Sequence, residues 1–327
     1  MAIFESQFLV MSNNIPSVDL ADFLSGEPKR KTQFVNKLGE AYENIGFVAV
    51  RNHGLSDELT GKLYDQVQAF FNLPEAVKKK YEIEGMAGQR GYTSFGREHA
   101  KGRNTGDLKE FWHFGQYVDD DDDPIASEYP PNVEVTELPE FNRVGREVYQ
   151  KLENTGREML RAIALYLGLE ENYFDDKIHN GNSILRPIHY PPITAAPDDA
   201  VRAAEHEDIN LITLLMGASA DGLEVLNKKG EYVPVTALPE QIIVNVGDML
   251  QRLTNNKLRS TTHRVVNPPR ENWGSSRYSI PFFLHPRSEM RLDCLPQCLD
   301  EQNPKKYEDI SAGEYLEERL AEIGLKK

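Results

Sequence analysis

Cysteine is scarce: Cys294 and Cys298 are the only two in 327 residues. Two thiols can build neither a disulfide framework nor, alone, a structural zinc site, and they read as free thiols in a reducing cytoplasm. Long apolar runs are missing as well. No stretch approaches the roughly 18 residues a spanning helix requires, and mean hydropathy is −0.54, so no membrane partner is expected. The opening MAIFESQFLVMSNN has no cationic start and only a short apolar run, so no secretory signal is expected. Positive charge is in deficit: 37 Lys+Arg against 52 Asp+Glu leave a net −15. An acidic surface of this kind repels phosphate backbones, which argues against a nucleic-acid partner. There is no internal repeat, no low-complexity linker, and no Ser/His/Asp or Cys/His arrangement for nucleophilic catalysis.

What is present is ordinary globular composition, long enough to bury a real core. The first third reads as helices around a short strand. Residues 15–20 are extended, a helix covers about 32–44 with Phe34, Leu38 and Tyr42 on one face, and GFVAV (46–50) is a strand ending in the turn Asn52-His53-Gly54. Ser56 starts a second helix that runs to about Phe71. Residues 84–105 are Gly-rich and locally basic (Arg90, Arg97, Lys101, Arg103) and suit either a lid or substrate loop or an ordinary solvated connection. The run Asp119 to Asp123 is read as a solvated loop, since it lacks the spaced ligands and glycine of a calcium site. A long helix over 141–167 carries Val144, Val148, Leu152, Met159, Ile163 and Leu167. Then the texture changes to short β-rich runs between turn residues (SILRPIHY, INLITLLM, LEVL, YVPV, QIIVNV, HRVV, RYSIPFFL), the pattern of a sandwich or jelly roll. A last helix is expected from Ala312 to Ile323.

Of the eight histidines, only His206 is followed two residues later by a carboxylate, in His206-Glu207-Asp208. In an extended chain His206 and Asp208 share a face, which sets an imidazole and a carboxylate at adjacent corners of a coordination sphere. Downstream come His263 and, fourteen residues later, Arg277-Tyr278-Ser279. Arg277 and Ser279 again share a strand face, and a guanidinium fork beside a hydroxyl clamps a carboxylate. Two imidazoles and one carboxylate on one side of a divalent metal leave three positions open, the facial triad of non-haem Fe(II) oxygenases.

The order H-x-D, a distant His, then R-x-S resembles the iron- and 2-oxoglutarate-dependent dioxygenases, most closely their isopenicillin N synthase-like branch. The likeness extends to IPSVDL, GFVAVRNHG, DLKEFWHFG, HYPP (His189 to Pro192), EHEDINLITLL, NVGDMLQRLTNNKLRSTTHRVVNP and RYSIPFF, from residue 15 to about 290. It implies a mainly β fold with flanking helices around a distorted double-stranded β-helix (jelly roll) core. The implied division is an N-terminal helical/β region at 1–120, a connecting loop and long helix at 121–180, the dioxygenase core at 181–290, and a tail with a helix at 291–327. It implies Fe(II) held by His206, Asp208 and His263, the far carboxylate of 2-oxoglutarate (2OG) held by Arg277, Ser279 and Tyr190, and O2 as oxidant. The implied reaction oxidises, in most cases hydroxylates, a C–H bond of a small molecule and releases succinate and CO2. No residue beyond the metal ligands is then required as an acid or base.

Two positions depart from the branch's usual pattern: Ile188 stands where many plant members have Asn, and Glu224 where Gln is common. The branch also includes isopenicillin N synthase and aminocyclopropane-carboxylate oxidase, which use no 2OG, so R-x-S by itself leaves the clamped carboxylate unnamed. A metal-binding sensor without catalysis is a further alternative. For the substrate, Phe283 and His285 are expected at the pocket. Arg97, Arg186, Lys101 and Arg103 are candidates to receive a carboxylate-bearing small molecule. Trp112 and Phe114 read as core; His53, His99 and His179 read as structural or solvated.

Overall fold

The computed structural model describes residues 15–84, 89–98, 106–118, 124–197, 200–217 and 221–322. The first fourteen residues, His99, Lys101, Arg103, the Asp119 to Asp123 run and Ile323 lie outside them. Strand β1 (Ser17–Asp19) passes directly into α1 (Leu20–Leu24), which Asp19 caps by accepting from the Ala21 N–H. Helix α2 (Pro28–Asn44) begins before the expected Thr32, because proline at the first helical position loses no hydrogen bond. After β2 (Phe47–Arg51), α3 (Asp57–Phe71) starts behind Ser56, whose hydroxyl accepts from the Leu59 N–H. Then follow α4 (Glu75–Lys78), β3 (Gly91–Thr93), β4 (Glu110–Gly115), the long α5 (Pro139–Tyr166) and α6 (Asp175–Ile178). Helix α5 buries Val144, Val148, Leu152, Met159 and Ile163, the stripe its spacing predicts.

SILRPIHY, expected as one strand, is two: β5 (Ile184–Leu185) and β6 (Ile188–Tyr190). Pro187 between them has no N–H for a ladder, and its carbonyl accepts from the Trp112 N–H at 2.9 Å. The remaining elements are β7 (Ala203–His206), β8 (Ile212–Met216), β9 (Leu223–Leu226), β10 (Tyr232–Pro234), β11 (Gln241–Val246), α7 (Asp248–Leu253), β12 (His263–Val265), β13 (Arg277–Leu284) and α8 (Ala312–Glu322). Among the described residues no helix is long and apolar enough to cross a membrane.

The strands form two sheets. The larger runs β1-β2-β11-β8-β13-β5-β4-β3, with β6 also paired to β13 and β4; the smaller runs β10-β9-β12-β7. Strand alternation explains the layering. In β13 Tyr278, Ile280, Phe282 and Leu284 join the apolar core shared with α2, α3 and α5, whereas Arg277, Ser279, Pro281 and Phe283 face a cavity on the other side. Strands β2, β4, β8 and β11 divide the same way, so the larger sheet is covered on one face by helices and on the other by the smaller sheet. Trp112 and Phe114 lie wholly in the helix-side core, as expected. The two sheets meet through one patch of Phe47, Ala49, Leu223, Val225 and Ile243 and another of Phe111, Ile188, Tyr190, Ala203 and Val265. This is the two-sheet, helix-flanked architecture expected of a double-stranded β-helix, and the space left between the patches holds the site.

Candidate functional site

A cavity of about 460 Å³ opens between the sheets and is lined by His206, Asp208 and His263 together. Antiparallel pairing of β7 and β12 sets His206 directly opposite His263, and the register shifts just beyond, between His263 and Val265. The two imidazole centroids are 4.4 Å apart, and the metal-binding atoms of all three residues lie within 4.8 Å of one another. Each imidazole donates from Nδ1 to a carbonyl two residues earlier, His206 to Ala204 at 2.7 Å and His263 to Thr261 at 3.1 Å. That fixes both tautomers and turns both Nε2 lone pairs toward Asp208 Oδ1, at 3.8 and 3.6 Å. Burial, reinforced by the neighbouring His263, brings the His206 imidazole down to about 4, so it is neutral as a ligand must be.

Asp208 is oriented from its other oxygen. Oδ2 accepts from the Thr213 hydroxyl at 2.6 Å and the Asn245 amide at 2.8 Å. Burial works against ionisation here, yet His263, His206 and these two donors hold the carboxyl below its ordinary range. Oδ1 is thereby left facing the two imidazoles. The chain around it is packed tightly: a Cβ on Gly247 would lie 2.3 Å from the Asn210 carbonyl oxygen, and the Asp248 N–H donates to the Asp208 carbonyl at 2.9 Å. The three donors fit a divalent ion with open positions on one side.

Arg277, Ser279 and Tyr190 come together in the same cavity. In the β13–β6 ladder Arg277 pairs with Tyr190 and Ser279 with Ile188, so the departure at Ile188 falls directly opposite Ser279. Arg277 is 1% exposed, with its guanidinium 5.0 Å from the centre of the Tyr190 ring and its Nε donating to the Asp221 carbonyl at 3.3 Å. Arg186, Phe283 and His285 also line the cavity. Arg97 does not: it is exposed and ion-paired with Glu82, because its residue sits in the turn after β3 rather than on an inward-facing strand. His53 and His179 lie outside the cavity too.

His285 is 7% exposed and its Nδ1 donates to the Phe283 carbonyl at 3.2 Å. Burial drops its imidazole from 6.5 to about 4. Because the folded value is depressed, the unfolded chain takes up a proton that the fold refuses as pH falls below 6.5. The neutral imidazole's contribution is therefore complete above that pH and lost on the way to 4, about 3 kcal/mol in all. Denaturant titrations of the metal-free protein from pH 7 to 4 are expected to show a shallower loss for His285→Asn than for the parent; equal slopes would contradict the buried neutral imidazole.

Reasoning from the sequence did not single out several cavity residues. Glu98, Lys109 and Asp107 form a buried ionic group, with Lys109 Nζ 2.8 Å from both Glu98 Oε1 and Asp107 Oδ2. Helix α8 contributes Leu316, Arg319 and Leu320, an i, i+3, i+4 face that was there to be read. It is moored by Tyr315, which donates to Asp248 Oδ2 at 2.9 Å, while Arg319 Nε stands 3.4 Å from that same oxygen.

Two imidazoles and a carboxylate on one wall of a half-open cavity define the donor set of a non-haem Fe(II) oxygenase. Residues 15–137 match the family described as non-haem dioxygenase in morphine synthesis N-terminal, and residues 181–286 match the 2OG-Fe(II) oxygenase superfamily. A 2-oxoglutarate-Fe(II) type oxidoreductase of Metarhizium rileyi is 33% identical over 94% of this chain and 90% of its own. A 2OG-Fe(II) oxygenase family protein from Caulobacter crescentus superposes with a TM-score of 0.85 at 43% identity, over 95% of this chain and 100% of that one. A full-length Neurospora crassa protein crystallised with alpha-KG and thymine gives 0.82 at 30% identity, over 94% of this chain and 96% of its own. The chain belongs to the 2OG-Fe(II) oxygenase superfamily, in its isopenicillin N synthase-like branch. It is an Fe(II)- and 2OG-dependent oxygenase acting on a small molecule.

Proposed function

We propose that this oxygenase hydroxylates a C–H bond of a small molecule held between the two sheets, with Fe(II) on His206 Nε2, Asp208 Oδ1 and His263 Nε2. The reading is carried by one observation: those three atoms converge in the cavity that also receives Arg277, Ser279 and Tyr190. Bound iron, 2OG and O2 supply the oxidising power, one oxygen atom entering the C–H bond and the other leaving in succinate, with CO2. The chain's own part is positional. The carbonyls of Ala204 and Thr261 keep both imidazoles in the ligating tautomer, and Thr213 and Asn245 aim the carboxylate. Arg277 and Ser279, on one face of β13, hold the far carboxylate of 2OG, with Tyr190 as third donor from the paired strand. Arg186, Phe283 and His285 form the substrate wall. Two buried free thiols, Cys294 and Cys298, support a cytoplasmic setting.

The test is anaerobic. Fe(II) plus 2OG is expected to give a visible charge-transfer band, and admitting air is expected to give iron-dependent succinate. A missing band, with an iron spectrum that instead responds to a thiol or amino acid, would support a 2OG-independent oxidase. A band without succinate would support a sensor.

A further inference from the structure

Among the described residues the charge around the substrate wall is closed on itself. Four cationic side chains line the cavity among the described residues: Lys109, Arg186, Arg277 and Arg319. Arg277 belongs to the 2OG clamp, and Arg319 is drawn to Asp248 and to Glu322, 2.6 Å from its Nη1. Lys109 sits between Glu98 and Asp107, and Arg186 Nη1 stands 3.4 Å from Glu98 Oε1. Two cations thus face two carboxylates, and among the described residues this wall keeps no net positive charge.

Hydrogen-bonding capacity does remain. Glu98 Oε2 is buried with no hydrogen-bond partner among the described residues, and an acceptor so placed is costly unless a donor reaches it. The adjacent Arg186 uses Nε on His113 Nε2 at 2.5 Å and Nη1 on Glu98, two of the five N–H donors a guanidinium carries. It lies over the rings of both Phe111 and Phe283, whose centres are 4.4 and 5.1 Å from its central carbon. Phe283 is half-buried and faces the cavity. An acceptor beside a fixed donor, next to an aromatic face, matches one ligand edge.

We propose that the substrate is an uncharged molecule presenting an N–H next to a C=O, as in a lactam or cyclic ureide, its N–H on Glu98 Oε2, its carbonyl on Arg186 and its ring against Phe283. This rests on the oxygenase reading and narrows its substrate from any small molecule to a neutral amide-edged one. It replaces the anionic substrate that the basic residues suggested from sequence.

The test is calorimetric binding to the anaerobic Fe(II)–2OG form, using thymine and 2-piperidone as neutral amide-edged rings and orotate as a pyrimidine ring bearing a carboxylate. At least one neutral ring is expected to bind and orotate to bind more weakly. In Glu98→Gln, which removes one of the two balancing negative charges, the neutral ring is expected to weaken by about tenfold or more while orotate gains. Arg186→Gln is expected to weaken the neutral ring without any gain for orotate. Orotate preferred by the parent, no binding of either neutral ring, or a Glu98→Gln protein with unchanged preference would each overturn the proposal. The charge-transfer band, recorded on every sample, reports folding of the site, and its absence in the parent would count against the oxygenase reading instead.

Discussion

An Asp208→Asn substitution is expected to strip the protein of Fe(II), and with it of 2OG turnover, although the side chain keeps its shape. The reason lies in the direction of three hydrogen bonds. Thr213 Oγ1 receives the Asn210 amide at 2.8 Å, so its own proton goes to Asp208 Oδ2. Asn245 Nδ2 donates to that oxygen too. With two donors fixed on one side, an asparagine at 208 must present its carbonyl oxygen to them. Its NH2 then falls where Oδ1 stands, facing the two imidazole Nε2 atoms, and an amide nitrogen offers no lone pair to a metal. The loss of Fe(II) affinity should exceed the roughly 10–100-fold typical of changes behind the ligands. Anaerobic Fe(II) titration with metal analysis after gel filtration measures it, and circular dichroism reports whether the fold persists. Retained iron affinity in a folded Asp208→Asn protein would remove Asp208 from the ligand set.

Replacing Arg277 by Leu is expected to raise the Kd for 2OG by about 100-fold or more, the value of losing two charge-assisted hydrogen bonds to a carboxylate in a buried site. Arg277→Lys should fall between, since an ammonium keeps the charge but cannot reproduce the fork. Fe(II) affinity should change little, because both imidazoles are carried by β7 and β12 of the smaller sheet while Arg277 is on β13 of the larger. Titrating 2OG into the anaerobic Fe(II) protein, with iron affinity measured separately, distinguishes the outcomes. An unchanged 2OG Kd would mean that its carboxylate is held elsewhere. Joint collapse of both affinities with the melting temperature would make Arg277 a structural residue.

These side chains were legible in the sequence to different depths. His206 with Asp208, and Arg277 with Ser279, could be read because strand alternation is local: two residues apart means one face. Tyr190 opposite Arg277 was reached only through resemblance, since nothing along one strand says which strand lies beside it. Thr213 and Asn245 were invisible for the same reason; they reach Asp208 from two further strands, β8 and β11. Arg97 and Arg186 looked alike as isolated basic residues, and only their partners, half-buried Glu82 away from the cavity and Glu98 in the cavity wall, separate them. The long helix α5 was readable nearly whole because its apolar stripe is periodic over many turns, whereas SILRPIHY hid its break in the one residue, Pro187, that cannot donate.

The way Asp208 is held has a mechanical consequence. His206 and His263 belong to the smaller sheet, but Asp208 is pinned by Thr213 and Asn245 to the larger one. A divalent ion held by all three would therefore act as a rivet between the two layers, set where the apolar patches between them give way to the cavity. Metal loading would tie the two layers together at that point.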